Sequence, residues 1–165
     1  MEIRNSRPED FERIMEIYAH ARRFMAETGN PNQWGPTNWP PEDLVREDIA
    51  IGRGKVCVED GRVVGAFCYI QGDHIDATYD VIEEGDWEKD APYGVVHRLA
   101  AEGAKGVGSF CLNWAVQQSG YLRVDTHPDN VVMQNLLKKL DFIQRGIIHV
   151  VEDNYPRYAY DKAFE

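Results

Sequence analysis

The feature that most limits what this chain can fold into is an apolar strand that stops on a glycine-rich turn and restarts as a helix. Val95-Val96-His97-Arg98-Leu99-Ala100-Ala101 reads as a strand, followed by Glu102-Gly103-Ala104-Lys105-Gly106-Val107-Gly108. Val107, Phe110, Cys111 and Trp114 then recur at i, i+3, i+4 and i+7, the spacing of an amphipathic helix. A helix fed from a strand in this way lies on a sheet, which predicts an α+β chain built in three α/β layers. The glycines let the backbone pass close to a ligand, and the helix start points unpaired N–H groups at an anion. Two familiar versions of such a turn are absent. No GxxxxGK[ST] run exists, and Cys111 stands where the third glycine of GxGxxG belongs.

The flanking pattern predicts the remaining elements. Glu2 to Asn5 reads as a short strand, and Ser6 with Glu9 reads as a capping box with Pro8 in the first turn. Phe11, Ile14, Met15, Tyr18, Ala21 and Met25 carry a helix that Gly29 closes. Residues 30–41 hold four prolines and two tryptophans and cannot form a regular element; a short helix over 42–50 follows. Strands at 55–59 and 62–70 form a hairpin turning on Asp60-Gly61, with Val58 opposite Val63 and Cys57 opposite Val64. A third strand is predicted over His74 to Val81, then a polar loop, then the strand of the opening unit. Tyr121 to His127 is a strand, Val132, Met133, Leu136, Leu137 and Leu140 mark a helix, and two strands near 142–151 and 157–163 end the chain. With no repeat and 165 residues, one domain over 1–165 with a mixed sheet is expected.

Charge and cysteine usage narrow the partners. The formal charge is −10, which argues against nucleic acid or an anionic membrane surface. The longest apolar run, 63–70, is far short of the ~20 residues that span a bilayer. The opening residues carry charge where an export signal needs an apolar stretch, so a cytoplasmic protein is expected. Three cysteines, none in a C-x-x-C pair or near a metal-spaced histidine, read as reduced and mostly buried thiols, with no metal site.

The glycine turn after His97-Arg98-Leu99-Ala100-Ala101, with Arg123-Val124-Asp125-Thr126-His127-Pro128-Asp129-Asn130 and a helix ending at Phe142, resembles the GNAT superfamily of acyl-CoA-dependent N-acyltransferases. Gly103 to Gly108 occupies the frame of the family's pyrophosphate loop, and Asn130 opens the helix that the family closes with a glycine and phenylalanine. Gly103 replaces the usual Gln or Arg, and Asp141 replaces that glycine. The resemblance implies a mostly antiparallel sheet of six to seven strands flanked by helices. It also implies transfer of an acetyl group from acetyl-CoA directly to a primary amine of a small-molecule or amino-acid-like acceptor. A GNAT-fold module that binds acyl-CoA without turnover, as a sensor or interaction protein, is the alternative, and a homodimer is left open.

Residue by residue, the pyrophosphate would take N–H groups of Gly106, Val107, Gly108 and Ser109, with Lys105 and Lys138 supplying positive charge. Backbone N–H groups near Leu99 and Ala101 could polarise the thioester carbonyl. Asn130 resembles the family's pantetheine-binding asparagine; a plain helix cap is the other reading. An amine is protonated at neutral pH and must lose a proton before it attacks, so a base is needed. His97 sits in an H-x-L-A pattern that resembles arylalkylamine-acetylating members, where a histidine at this place lies on the acceptor side; a histidine satisfied inside the sheet is the other reading, and His127 is the rival base. Gln33 and Trp34, with Tyr79, Trp87 and Tyr93, could form an aromatic acceptor pocket, although Trp34 and Trp39 could equally anchor their own loop. Glu83, Glu84, Asp86 and Asp90 would give that pocket an acidic rim; a plain solvated charge run is the other reading. Leu137 stands where many members carry a tyrosine general acid, so that role cannot be carried over.

Overall fold

The computed structural model describes residues 1–150 and 155–164. Seven strands form one sheet: β1 (Glu2–Asn5), β2 (Gly54–Glu59), β3 (Arg62–Gly72), β4 (Tyr93–Ala101), β5 (Tyr121–Thr126), β6 (Ile143–His149) and β7 (Pro156–Ala163). Their order across the sheet is β1-β2-β3-β4-β5-β7-β6. Only β4 and β5 run parallel, because the helix α3 (Val107–Ser119) carries the chain back between them. The other helices are α1 (Phe11–Glu27), α2 (Glu42–Ala50) and α4 (Val131–Lys139).

Two apolar layers sandwich the sheet. Ile14, Ile17, Tyr18 and Ala21 of α1 and Val45 of α2 pack on Val56, Val63, Ala66 and Ala100. On the opposite face Val107, Cys111, Leu112, Ala115 and Val116 of α3, with Leu137 of α4, pack on Val64, Phe67, Val96, Leu122 and Val124. Most of each marked stripe is turned to the sheet, except Phe110 of α3 and Val132 of α4, which are exposed, and the sheet is covered on both sides. Among the described residues no helix is long and apolar enough to cross a membrane.

Local structure departs from the sequence reading in four places. The hairpin pairs Val58 with Val63, but a bulge then sets Cys57 opposite Gly65 rather than Val64. The segment predicted as a third strand, 74–81, is instead a loop holding a 3-10 turn at Ala77–Tyr79. There Asp76 accepts the Thr78 N–H at 3.0 Å, a side-chain alternative to a ladder bond. At the first helix Asp10, not Glu9, accepts the backbone N–H, from Arg7 at 2.8 Å, while the Ser6 hydroxyl has no hydrogen-bond partner. Finally, β6 ends at His149, Val150 follows it outside the strand, and residue 151 of the predicted 142–151 strand lies outside the described residues. Asp141 takes the left-handed conformation at φ 65°, and the Phe142 N–H reaches back to the Leu137 carbonyl at 2.9 Å.

Asp10 also receives the Arg4 guanidinium at 2.7 and 3.0 Å. That hydrogen bond, opposed by burial and aided by the Arg7 N–H, holds the Asp10 carboxyl below the ordinary carboxylate range. A depressed folded value stabilises the fold above the unfolded value of roughly 4 and loses that contribution as pH falls through the depressed one. Asp10→Asn is therefore expected to cost about 1 kcal/mol at neutral pH and to flatten the fall of Tm in acid, read by thermal unfolding between pH 7 and 2.

Candidate active site

The parallel strands β4 and β5 are hydrogen-bonded at only two residue pairs, Gly94 with Leu122 and Val95 with Arg123. Beyond them the strands part, and a cleft of ≈ 260 Å³ opens between Val96–Leu99 on one side and Val124–Thr126 on the other. Met25, Gln33, Trp34 and Trp39 border it from the α1 side, and Met133 and Leu137 from α4.

A bulge shapes the β4 wall. Cys68 pairs with His97 and Ala66 with Ala100, so Arg98 and Leu99 together oppose Phe67. Arg98 takes φ 56°, a left-handed conformation uncommon for a long side chain. Its carbonyl accepts the Tyr18 hydroxyl at 2.9 Å, and its guanidinium reaches the buried Asp48 at 2.7 Å. A bulge withdraws a residue from the ladder, and both Arg98 and Leu99 line the cleft.

His97 lines the cleft with Asp76, and their side chains meet at 2.7 Å through Nε2 and Oδ2. Burial alone would raise the Asp76 carboxyl. The hydrogen bond and charge of His97, with the Thr78 N–H, outweigh it and hold Asp76 below the ordinary carboxylate range. A second carboxylate on the cleft, Asp125, accepts the Tyr79 hydroxyl at 2.6 Å. Burial and that carboxylate push Tyr79 well above its usual value, so it stays a neutral donor. His127 does not line the cleft. It is buried, and its Nδ1 accepts the Asp129 N–H at 3.0 Å.

Of the aromatic acceptor set, Gln33 and Trp34 border the cleft. Trp34 is also 7% exposed and stands edge-on to Tyr18 at 5.8 Å, so it anchors its loop as well. Tyr79, Trp87 and Tyr93 do not line the cleft. They pack behind its wall, where the Arg123 guanidinium stacks over Trp87 and Tyr93 at 4.4 and 4.2 Å. The loop carrying the expected acidic rim pairs instead with β6, Glu83 exchanging two backbone bonds of 2.8 Å with Ile147. The negative charge at the cleft comes from Asp76 and Asp125; Asp76 was missed because 74–81 reads as a strand, and Asp125 because nothing in the strand 121–127 marks which of its side chains meets the cleft.

The turn after β4 has the geometry of an anion cradle. Gly106 caps α3 at φ 74°, and a Cβ built there would meet nothing within 4 Å. Gly108 has a different purpose: a Cβ there would lie 2.9 Å from Leu136, so it lets α3 approach α4. Lys105 and Lys138 are exposed. Beside Gly103, where the resembled loop carries Gln or Arg, stand the Arg62 and Arg13 guanidiniums, 3.6 and 3.7 Å from an added Cβ. These residues fit a pyrophosphate: open space over helical N–H groups, with cations close by. Asn130 uses Oδ1 to cap the Met133 N–H at 3.0 Å and Nδ2 to reach Gln33 at 3.0 Å, so both its polar ends are engaged within the protein. Among the described residues no group of three or more His, Cys, Asp or Glu could hold a metal ion.

Two expected outcomes follow from this geometry. Gly106→Val should weaken coenzyme A binding at least 10-fold by calorimetry, since a branched side chain both fills the open space and strains the left-handed cap; unchanged affinity would remove the cradle assignment. Trp34→Ala should raise the acceptor KM and lower Tm by several degrees, while coenzyme A affinity holds.

No protein-family model and no curated protein matches the sequence, and the likeness appears among solved structures. An acetyltransferase of the GNAT family from Streptococcus agalactiae is 30% identical and superposes with a TM-score of 0.88 over 99% of this chain and 95% of its own. A GNAT-family acetyltransferase from Listeria monocytogenes, 17% identical, matches 99% of this chain and 94% of its own at 0.69. A ribosomal-protein-alanine N-acetyltransferase from Brucella melitensis, 13% identical, matches 99% and 100% at 0.65. The last two share the fold. The first, at its identity and near-complete coverage, shows that this chain belongs to the GNAT family of acetyltransferases.

Proposed function

We propose that the protein moves an acetyl group from acetyl-CoA to the primary amine of a small cationic acceptor, by direct attack in the β4–β5 cleft. The observation that carries this reading is His97 on the cleft wall, its Nε2 held by Asp76 at 2.7 Å and its Nδ1 without a hydrogen-bond partner among the described residues. Acetyl-CoA, when bound, supplies the activated thioester. Gly106, Val107, Gly108 and Ser109, with Lys105 and Lys138, would hold its pyrophosphate, and the neighbouring Arg62 and Arg13 would add charge.

The chain's own groups then divide the work. Asp76 and Asp125 draw a cationic amine to the acceptor side, and Trp34 and Trp39 exclude water around its carbon skeleton. His97 takes the amine proton. Backbone N–H groups at the Arg98–Leu99 bulge, where the ladder is interrupted, would polarise the acetyl carbonyl. Direct transfer is supported by the thiols: Cys57, Cys68 and Cys111 are all buried and none lines the cleft. Burial pushes the Cys68 thiol up to about 11, against a role as nucleophile.

A binding-only reading draws on Leu137, fully buried at the cleft, which offers no proton to a departing thiol. The imidazole–carboxylate pair favours turnover. A thiol-release assay over a panel of amines separates the two, since a sensor releases no thiol with any of them. His97→Ala is expected to lower kcat by roughly 10²–10⁴ and to abolish the acid limb of the rate profile, with coenzyme A affinity unchanged. A variant with normal kcat and an intact limb would remove His97 from the mechanism.

A further inference from the structure

We infer that Asp76 is a positioning residue that fixes the tautomer of His97, so that the two act as an aspartate–imidazole dyad in removing the acceptor's proton. The inference rests on the reading of His97 as the base and adds the group that makes it one.

The geometry of the loop carries the argument. Asp76 is held from several directions, its carboxylate by the Thr78 N–H at 3.0 Å and its own N–H by the Tyr93 hydroxyl at 3.3 Å. The turn that follows cannot drift either. Tyr79 is fully buried, its hydroxyl bonded to Asp125 and its carbonyl to the Trp87 indole N–H at 2.9 Å. Its ring packs 6.0 Å from that of His97. The Asp76 and His97 side chains are only 18% and 23% exposed, so this is not a solvated surface pair, whose geometry water would average away.

An ionised carboxylate only accepts hydrogen bonds. With Oδ2 facing Nε2, the neutral imidazole must place its proton on Nε2, and the lone pair then resides on Nδ1. The acceptor's ammonium proton passes to Nδ1, the ring becomes a cation beside the Asp76 anion, and the freed electron pair forms the N–C bond to the acetyl carbon. The C–S bond then breaks, and the departing thiolate takes up, through solvent, the second proton that the nitrogen loses as the amide forms. The proton returns to solvent once the amide product leaves. The groups that face the ring in this cluster are Asp76 and the neutral Tyr79, with Asp125 beyond the Tyr79 hydroxyl.

The test compares Asp76→Asn, Asp76→Glu and His97→Ala in the whole protein. Asp76→Asn should lower kcat on the order of 10²-fold, with a much smaller rise in the acceptor KM from the lost attraction for the ammonium, while coenzyme A affinity stays within about 2-fold. Nitrogen-15 NMR of the imidazole should show a single Nε2–H tautomer in the wild type at high pH and a mixture in Asp76→Asn, because an amide can donate as well as accept. Asp76→Glu, which keeps a carboxylate, should recover a large part of both the rate and the single tautomer. Asp76→Asn at wild-type kcat, an unaltered tautomer, or Asp76→Glu as slow as Asp76→Asn would each overturn the dyad. Wild-type kcat in His97→Ala would overturn the assignment of the base itself; a slow His97→Ala beside a normal Asp76→Asn would overturn the dyad alone.

Discussion

The early parting of β4 from β5 is the constraint on which the rest of the site depends. A sheet that stayed paired would leave no room for a substrate, and a sheet that simply opened would strand backbone polar groups without partners. Here the separation starts after two residue pairs, and the bulge at Arg98–Leu99 turns the freed backbone into part of the cleft wall. That bulge is costly, because Arg98 sits at φ 56°. Asp48 holds it in place, lying between the Arg98 and Arg53 guanidiniums at 2.7 and 2.5 Å, while the Tyr18 hydroxyl takes the Arg98 carbonyl. Charges so deeply placed contribute little net stability, and their value is in specifying one local conformation.

Charge is sorted within the site although the protein as a whole is acidic. The cleft wall has Asp76 and Asp125, and the turn that would take a pyrophosphate has Lys105, Arg62 and Arg13 about it. The arginines also lie close to Gly103. Beside it stand two guanidiniums from β3 and α1, which no local motif would contain, and that of Arg13 is bonded to the Val63 and Glu102 carbonyls.

The tryptophan loop is tied to α4 by a chain of amides. The helix-capping bond from Met133 fixes Asn130 with its Oδ1 inward, so its Nδ2 donates to Gln33 Oε1. The same oxygen receives the Asn30 Nδ2 at 2.8 Å. Each orientation dictates the next, which sets the acceptor loop and the α4 wall at a fixed separation across the cleft. Trp34, packed on Tyr18, completes the anchor from the α1 side.

The sequence by itself determined the elements and their layering. Apolar spacing marked α1, α3 and α4, the Asp60-Gly61 turn marked the β2–β3 hairpin, and the strand–glycine–helix unit carried both the resemblance and the position of the anion cradle. His97 was also legible, because it lies inside that unit. These are local features: period, turn chemistry and caps act over a few residues, so a linear reading finds them. Tertiary structure alone decided the rest. It brought Asp76 to His97 across 21 positions, Asp48 to Arg98 across 50 and Gln33 to Asn130 across 97, and it moved Tyr79, Trp87 and Tyr93 behind the wall. Such contacts depend on which strands pair and where they part, and a side chain's neighbours across that gap leave no periodic signal in the chain. The Asp76 segment shows the difference most plainly. Its alternation suits a strand, but a carboxylate that can cap the Thr78 N–H and meet an imidazole gains more as a turn.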